Sequence, residues 1–256
     1  MHTIKDLNAY VQTLETKGVH LVKPRVILQQ VEGLKDFGGL ISLPFPPSLI
    51  GSIPVFDAVI LAAILKLRRP FRVLEFGTYL GYSTRVILEN SSPECSVFTV
   101  DLPHGADIGD ESLKVTDYEL HTSAALNDNF LRQLQFHAGA RYLAALSEVH
   151  QSRLTQIKAD TRNLDSGSLL RMLGGRCDLI FIDGGHDYET VTSDTKLALE
   201  VASDDATVVW HDYGSKIHTD VTRFVDNFSS SCRVVSVTGT LLAMLHLGSD
   251  PILHDL

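Results

Sequence analysis

Cysteine is scarce, with three in 256 residues. Cys95, Cys177 and Cys232 lie far apart, without the density of a disulfide framework or the spacing of a zinc site, so each is expected to be a small core or strand-edge residue. Basic residues are also short: 22 Lys and Arg stand against 31 Asp and Glu, a formal net charge of −9. Phosphate neutralisation needs a basic stripe, and only Arg68-Arg69 and scattered single residues supply positive charge, so no nucleic-acid partner is expected. Long apolar runs are missing. The longest, Ala58 to Leu65, falls far short of the ~20 residues of a membrane span, so no membrane partner is expected. The opening Met1-His-Thr-Ile-Lys-Asp-Leu-Asn8 lacks a basic-then-apolar leader pattern, and a soluble, cytoplasmic protein is the expectation.

What the chain does have is Arg72-Val-Leu-Glu-Phe-Gly-Thr-Tyr-Leu-Gly-Tyr-Ser-Thr84: an apolar run ending in an acid, a glycine turn, and hydroxyls at the start of a helix. Gly77 and Gly81 let backbone approach a ligand with no Cβ in the way, and the helix N-terminus that follows offers N–H groups to an anionic group. A small anionic or zwitterionic ligand is expected there. The spacing is Gly-x-x-x-Gly, so the tight pyrophosphate turn of Gly-x-Gly-x-x-Gly is incomplete, which argues against NAD and FAD.

Downstream, apolar runs alternate with helical spacing. The pattern gives strands at 71–76, 96–101, 153–159, 177–183 and 205–211, with helices near 82–90 and 187–202, and implies a parallel, doubly wound α/β sheet. A helix near 217–228 and strands at 232–237 and 240–247 follow; the turn between those strands is too short for a parallel crossover, so they form an antiparallel hairpin at the sheet edge. Residues 1 to about 36 carry helical spacing (Leu7, Val11, Leu14; Ile27, Val31, Leu34) interrupted by Pro24. Ser52 is expected to cap a helix ending near Arg68. The link 103–152 is too long for a bare loop and is expected to hold helices at Asn127–Gln135 and Ala140–Val149, as a lid over the substrate or a surface for a homo-oligomer.

Ligands of open α/β sheets bind at the carboxyl ends of strands, and several strand ends here carry acids. Asp101, about 20 residues past Gly81, suits the two hydroxyls of a ribose, or serves as a turn aspartate before Pro103. Asp160, within Lys158-Ala-Asp-Thr161, is either a ligand group or, with Thr161, a helix cap. Glu75 is either a buried acid tied to the loop or a partner for a ligand ammonium, and Ser83 either an N-cap or a donor to a carboxylate. Asp183-Gly-Gly-His186 and His211-Asp212 end two further strands and converge on one cleft. Either they hold a divalent cation, or His211 points into the sheet while Asp212 caps the next helix. Asp187 onward, with Asp194 and Lys196, reads as a solvated helical face.

Glu75-Phe-Gly-Thr-Tyr-Leu-Gly-Tyr-Ser83 resembles the first motif of class I S-adenosylmethionine (SAM) dependent methyltransferases, especially the catechol-type O-methyltransferases. Asp178-Leu-Ile-Phe-Ile-Asp-Gly-Gly-His-Asp-Tyr-Glu189, followed by Val208-Val-Trp-His-Asp-Tyr213, resembles a bacterial family of methyltransferases that includes sugar and natural-product O-methyltransferases. The likeness runs over roughly residues 40 to 247 and is weak between Pro103 and about Ser152. It implies a Rossmann-like, seven-stranded sheet with that edge hairpin, an N-terminal helical cap (1–70), a methyltransferase domain (71–247) with an insertion at about 103–152, and a tail (248–256). It implies SAM as cofactor, held by Glu75, Gly77, Thr78, Gly81, Tyr82, Ser83, Asp101, Leu102, Asp160, Thr161 and Asp183, with Asp160 on the adenine amino group. It also implies methyl transfer to a hydroxyl of a small-molecule acceptor, with His186 as general base beside Asp183. Related acids bind Mg²⁺; with histidine at 211, the set Asp183, His211 and Asp212 leans toward manganese, iron or zinc. Two other classes stay open: a metal-dependent hydrolase or lyase that uses the Asp/His cluster without SAM, and a non-catalytic binding protein with a SAM fold.

Overall fold

Val73, Leu74 and Phe76, then Leu179, Ile180, Phe181 and Ile182, then Ala206, Val208, Val209 and Trp210 form the buried middle of one sheet in the computed structural model, which describes residues 18–34, 40–46, 50–106 and 108–248. Parallel strands covered on both faces read as such near-continuous apolar runs. In chain order the strands are β1 (Gly18–Val22), β2 (Arg72–Phe76), β3 (Ser96–Asp101), β4 (Leu154–Lys158), β5 (Cys177–Ile182), β6 (Ala202–Trp210), β7 (Arg233–Val237) and β8 (Ala243–His246), arranged β1-β7-β8-β6-β5-β2-β3-β4. All pairings are parallel except those of β8, which runs antiparallel to β6 and β7.

The helices are α1 (Pro24–Glu32), α2 (Val55–Arg68), α3 (Tyr82–Asn90), α4 (Asp117–Leu120), α5 (Ala124–Ala138), α6 (Glu148–Arg153), α7 (Ser166–Leu173), α8 (Tyr188–Val201) and α9 (Thr219–Ser229). Side chains alternate across each strand, so Val73 and Leu179 join one apolar cluster with α1, α2 and α3, while Leu74 and Ile180 join another with α7, α8 and α9. The result is a three-layer α/β/α sandwich of Rossmann-like type.

Register positions the site. Phe76 pairs with both Val100 and Ile182, and Ile182 with Trp210. One residue further along each strand, Gly77, Asp101, Asp183 and His211 therefore stand in a row on the carboxyl rim.

Among the described residues the sheet has eight strands where seven were expected. Gly18–Val22, expected to be helical, lies parallel to β7 as an outer strand beyond the hairpin, with Val19 opposite Val234. Pro24 does not interrupt a helix but starts α1, where its missing N–H leaves no bond unmade. The helix expected around Leu7, Val11 and Leu14, and the tail beyond Gly248, lie outside the described residues. Ser52 caps nothing: α2 begins at Val55 after Pro54.

In the insertion, the helix expected over Ala140–Val149 is replaced by turns and then α6, which Ser147 caps. Tertiary contacts hold the turn: Tyr142 donates its N–H to Leu80 O at 3.0 Å and its hydroxyl to Pro46 O at 2.6 Å. Helix α7, capped by Asp165, carried no expectation. The three cysteines are free and buried. Among the described residues no helix is long and apolar enough to cross a membrane.

Candidate active site

A cleft of about 460 Å³ opens on the carboxyl rim, within the size range of small-molecule sites. Its floor is the loop after β2. Gly77 has φ +94°, and a Cβ there would lie 2.0 Å from Asp183 O, so the residue must be glycine for β2 and β5 to stay side by side. Gly81, at φ +82°, precedes α3, whose N-terminus no side chain caps. Thr78, Tyr79, Tyr82 and Ser83 line the cleft above it.

Glu75 lies beneath the loop, fully buried, and accepts the Thr84 hydroxyl. Burial pushes its carboxyl up to about 7, against the hydrogen bonds from Ser83, Thr84 and Thr99. Its Oε1 has no partner among the described residues. Ser83 does not cap α3.

At the β3 end, Asp101 accepts the Leu102 N–H at 2.9 Å and Gln135 Nε2 at 2.6 Å, with Lys158 Nζ 3.7 Å away. Burial raises its pKa, and Lys158 opposes that. Asp160 and Thr161 line the same end. Asp160 caps a 3-10 turn at Thr161–Asn163 and pairs with Arg162 at 2.9 Å, which holds its carboxyl below the usual range.

Across the cleft the other rim residues meet. His211 Nδ1 is 3.0 Å from Asp183 Oδ1 and 3.3 Å from Asp212 Oδ2, and its Nε2 is 3.3 Å from Asp57 Oδ2. Despite these distances neither ring nitrogen of His211 makes a hydrogen bond among the described residues, and the residue is only 7% exposed. Asp212 sits in the left-handed region at φ 61°, a conformation that turns the chain at the cleft edge. His186 Nδ1 is 2.8 Å from Asp128 Oδ1 and its Nε2 3.2 Å from Asp212 Oδ2. Burial works against a charged His186, but Asp128 and Asp212 outweigh it and push the imidazole up to about 10. The His218 ring stacks on it at 3.7 Å.

The register thus brings Asp101, Asp160 and Thr161 to one end of a single cleft, the glycine loop with Thr78, Tyr82 and Ser83 to the middle, and Asp183, His186, His211 and Asp212 to the other end. Leu102 is at the lip, 37% exposed. Sequence reasoning misses Asp57, Asp128, Gln135 and His218. Asp57 carries a signal, as the single acid in the otherwise apolar Val55–Leu65 run; the other three carry none. Asp194 is a correction: expected on a solvated face, it is 1% exposed and lines the cleft, and burial pushes it up to about 6.

An open, mostly parallel sheet with a glycine loop after β2 and ligating groups along its carboxyl rim defines an α/β protein built around a small-molecule site. A family model described as a methyltransferase domain matches residues 74–213, more than half of the chain, and the chain belongs to that family. Among solved structures, the calicheamicin methyltransferase CalS11 is 13% identical, covering 76% of this chain and 80% of its own, with a TM-score of 0.50. The O-methyltransferase TomG from Streptomyces achromogenes, solved with SAM, is 15% identical over 97% of this chain and 100% of its own, with a TM-score of 0.47. The methyltransferase PaMTH1 of Podospora anserina is 14% identical over 96% and 95%, with a TM-score of 0.49. Among curated proteins no sequence matches.

Proposed function

We propose that this chain transfers a methyl group from SAM to a hydroxyl of a small molecule, such as a sugar or natural product, assisted by a divalent cation. The observation that carries the reading is the rim itself, where the glycine loop, Asp101 and the Asp/His group open into one cleft. The residues present fit the cofactor. Asp101 offers a carboxylate that only accepts hydrogen bonds, as a ribose diol requires. The orphaned Glu75 Oε1 leaves an acceptor beneath the loop, and the uncapped α3 N-terminus leaves N–H groups for a carboxylate.

SAM, when bound, supplies an electrophilic methyl: its carbon–sulfur bond breaks as the acceptor carbon–oxygen bond forms, and the acceptor hydroxyl gives up its proton. The protein's work is alignment and proton removal. Helix α5 supports the first role: Asn127, Asp128, Leu131 and Arg132 line the cleft, as an insertion acting as a lid over the acceptor would require. Asp183, His211 and Asp212 would hold the cation, for which the buried, unpartnered Nδ1 of His211 is the fitting donor.

Isothermal calorimetry with SAM, S-adenosylhomocysteine and NAD tests the cofactor, and transfer of labelled methyl to a panel of hydroxylated small molecules tests the reaction. Binding of the first two and not of NAD is expected. A chain that binds none of the three is not a SAM enzyme, whatever its fold.

A further inference from the structure

We infer that the cation site at the Asp183 rim is a nitrogen-rich one, with His186 as a fourth donor beside Asp183, His211 and Asp212, and that it takes an imidazole-preferring transition ion in place of Mg²⁺. The ion's role rests on the methyltransferase reading above; its presence does not.

Donor atoms gather at the rim in two overlapping sets, Asp183, His186 and Asp212 in one and His211 with Asp183 and Asp212 in the other. His211 Nδ1 stands 3.0 Å from Asp183 Oδ1 and 3.3 Å from Asp212 Oδ2, and His186 Nε2 stands 3.2 Å from Asp212 Oδ2. Donors held ~2.0–2.2 Å from one ion stand roughly 3 Å from each other, which is this spacing. One donor atom each from Asp183, His186 and Asp212 also lies within 4.8 Å of the other two. A second observation is independent of these distances: His211 is 93% buried by its 7% exposure, yet its Nδ1 makes no hydrogen bond with either carboxylate beside it. A buried nitrogen close to two oxygens and bonded to neither asks for a partner, and an ion would supply one.

The far side of the His186 ring supports the same reading. His186 Nδ1 meets Asp128 Oδ1 at 2.8 Å. A carboxylate hydrogen-bonded behind an imidazole is how proteins fix the tautomer and orientation of metal-binding histidines. Asp128, His186 and His218 form a second group of nearby donors, in which the rings of His186 and His218 stack with planes 25° apart.

Chemistry selects the ion. Mg²⁺ demands oxygen donors in octahedral geometry, and two imidazoles in the set disfavour it. Zn²⁺, Co²⁺, Fe²⁺ and Mn²⁺ accept imidazole and carboxylate together. An ion held there would make an acceptor hydroxyl more acidic, the function a general base would otherwise supply, so His186 serves as ligand and not as base.

Co²⁺ titration of chelator-treated protein, followed by its visible absorption, tests the site. One equivalent bound is expected, with millimolar Mg²⁺ failing to compete and Zn²⁺ displacing it. His186→Ala and His211→Ala should each weaken Co²⁺ binding by roughly a hundredfold or more, and Asp128→Asn by about tenfold. Competition by Mg²⁺ equal to that by Zn²⁺, or no Co²⁺ bound by the wild type, overturns the inference without recourse to any variant. Unchanged Co²⁺ affinity in His186→Ala removes that residue from the site. A wild type that binds Co²⁺ but not SAM would defeat the methyltransferase reading and leave the ion site standing.

Discussion

Gln135 Nε2 donates to Asp101 Oδ2 at 2.6 Å across 34 residues of sequence, and so joins the insertion to the strand-end acid. Seven positions earlier on the same helix, Asp128 meets His186. Residues seven apart lie two turns along one helical face, so a single face of α5 orders both ends of the cleft. The helix is therefore part of the site.

Asp101→Ala removes charge-assisted hydrogen bonds worth about 1.5–3 kcal/mol, so SAM affinity should fall roughly tenfold to a hundredfold. Gln135→Ala should cost less if Gln135 acts by orienting the Asp101 carboxylate. In the double variant the two losses should fall short of their sum, since Gln135 has nothing left to orient. Calorimetry of all four forms measures this. Strict additivity would mean that Gln135 acts elsewhere.

The glycine loop and the strand-end acids are legible in sequence because their signal is local: an apolar run, then a polar residue, in an alternating pattern. The same locality makes β2, α3 and β3 legible nearly to the residue. Asp128, Gln135 and His218 are illegible because their role depends on which helix packs over the rim, a property of tertiary contact. Asp194 misleads for a related reason. Polar neighbours such as Glu189 and Lys196 suggest an exposed face, but the α8 face bearing Asp194 turns to Gly184, where a Cβ would lie 2.9 Å from its carboxylate. β1 escapes because five residues before a proline are too few for a period to show.

Glu75 predicts a pH dependence of stability. Its carboxyl rises from an ordinary 4.5 to about 7 in the folded chain. Between those values the folded state keeps a proton that the unfolded state has released, so raising the pH favours unfolding. The loss starts above 4.5, is complete above about 7, and amounts to roughly 3 kcal/mol. Urea unfolding of the ligand-free protein at pH 5 and pH 8 should show the wild type weaker at pH 8, and Glu75→Gln should lack that share of the change. Equal pH dependence in both proteins would place the ionised acid at no disadvantage in the fold.

The two loop glycines should respond very differently to alanine. At Gly77 an added Cβ meets backbone, Asp183 O at 2.0 Å and Asp183 C at 2.6 Å, and neither atom can move without parting β2 from β5. At Gly81 it meets Leu143 Cγ at 2.5 Å, a side chain in a turn that is able to repack. Both positions have positive φ, which alone costs about 1–2 kcal/mol for alanine. Gly77→Ala adds an overlap with no rotamer escape, for a total of at least about 3 kcal/mol, or a Tm lower by roughly 6–12 °C. Gly81→Ala should lose about half as much and keep measurable SAM affinity, whereas Gly77→Ala displaces Asp183 and should weaken cofactor and cation binding together. Thermal unfolding with calorimetry on both variants decides the matter, and equal losses would mean that the contact between the β2 loop and Asp183 does not organise the rim.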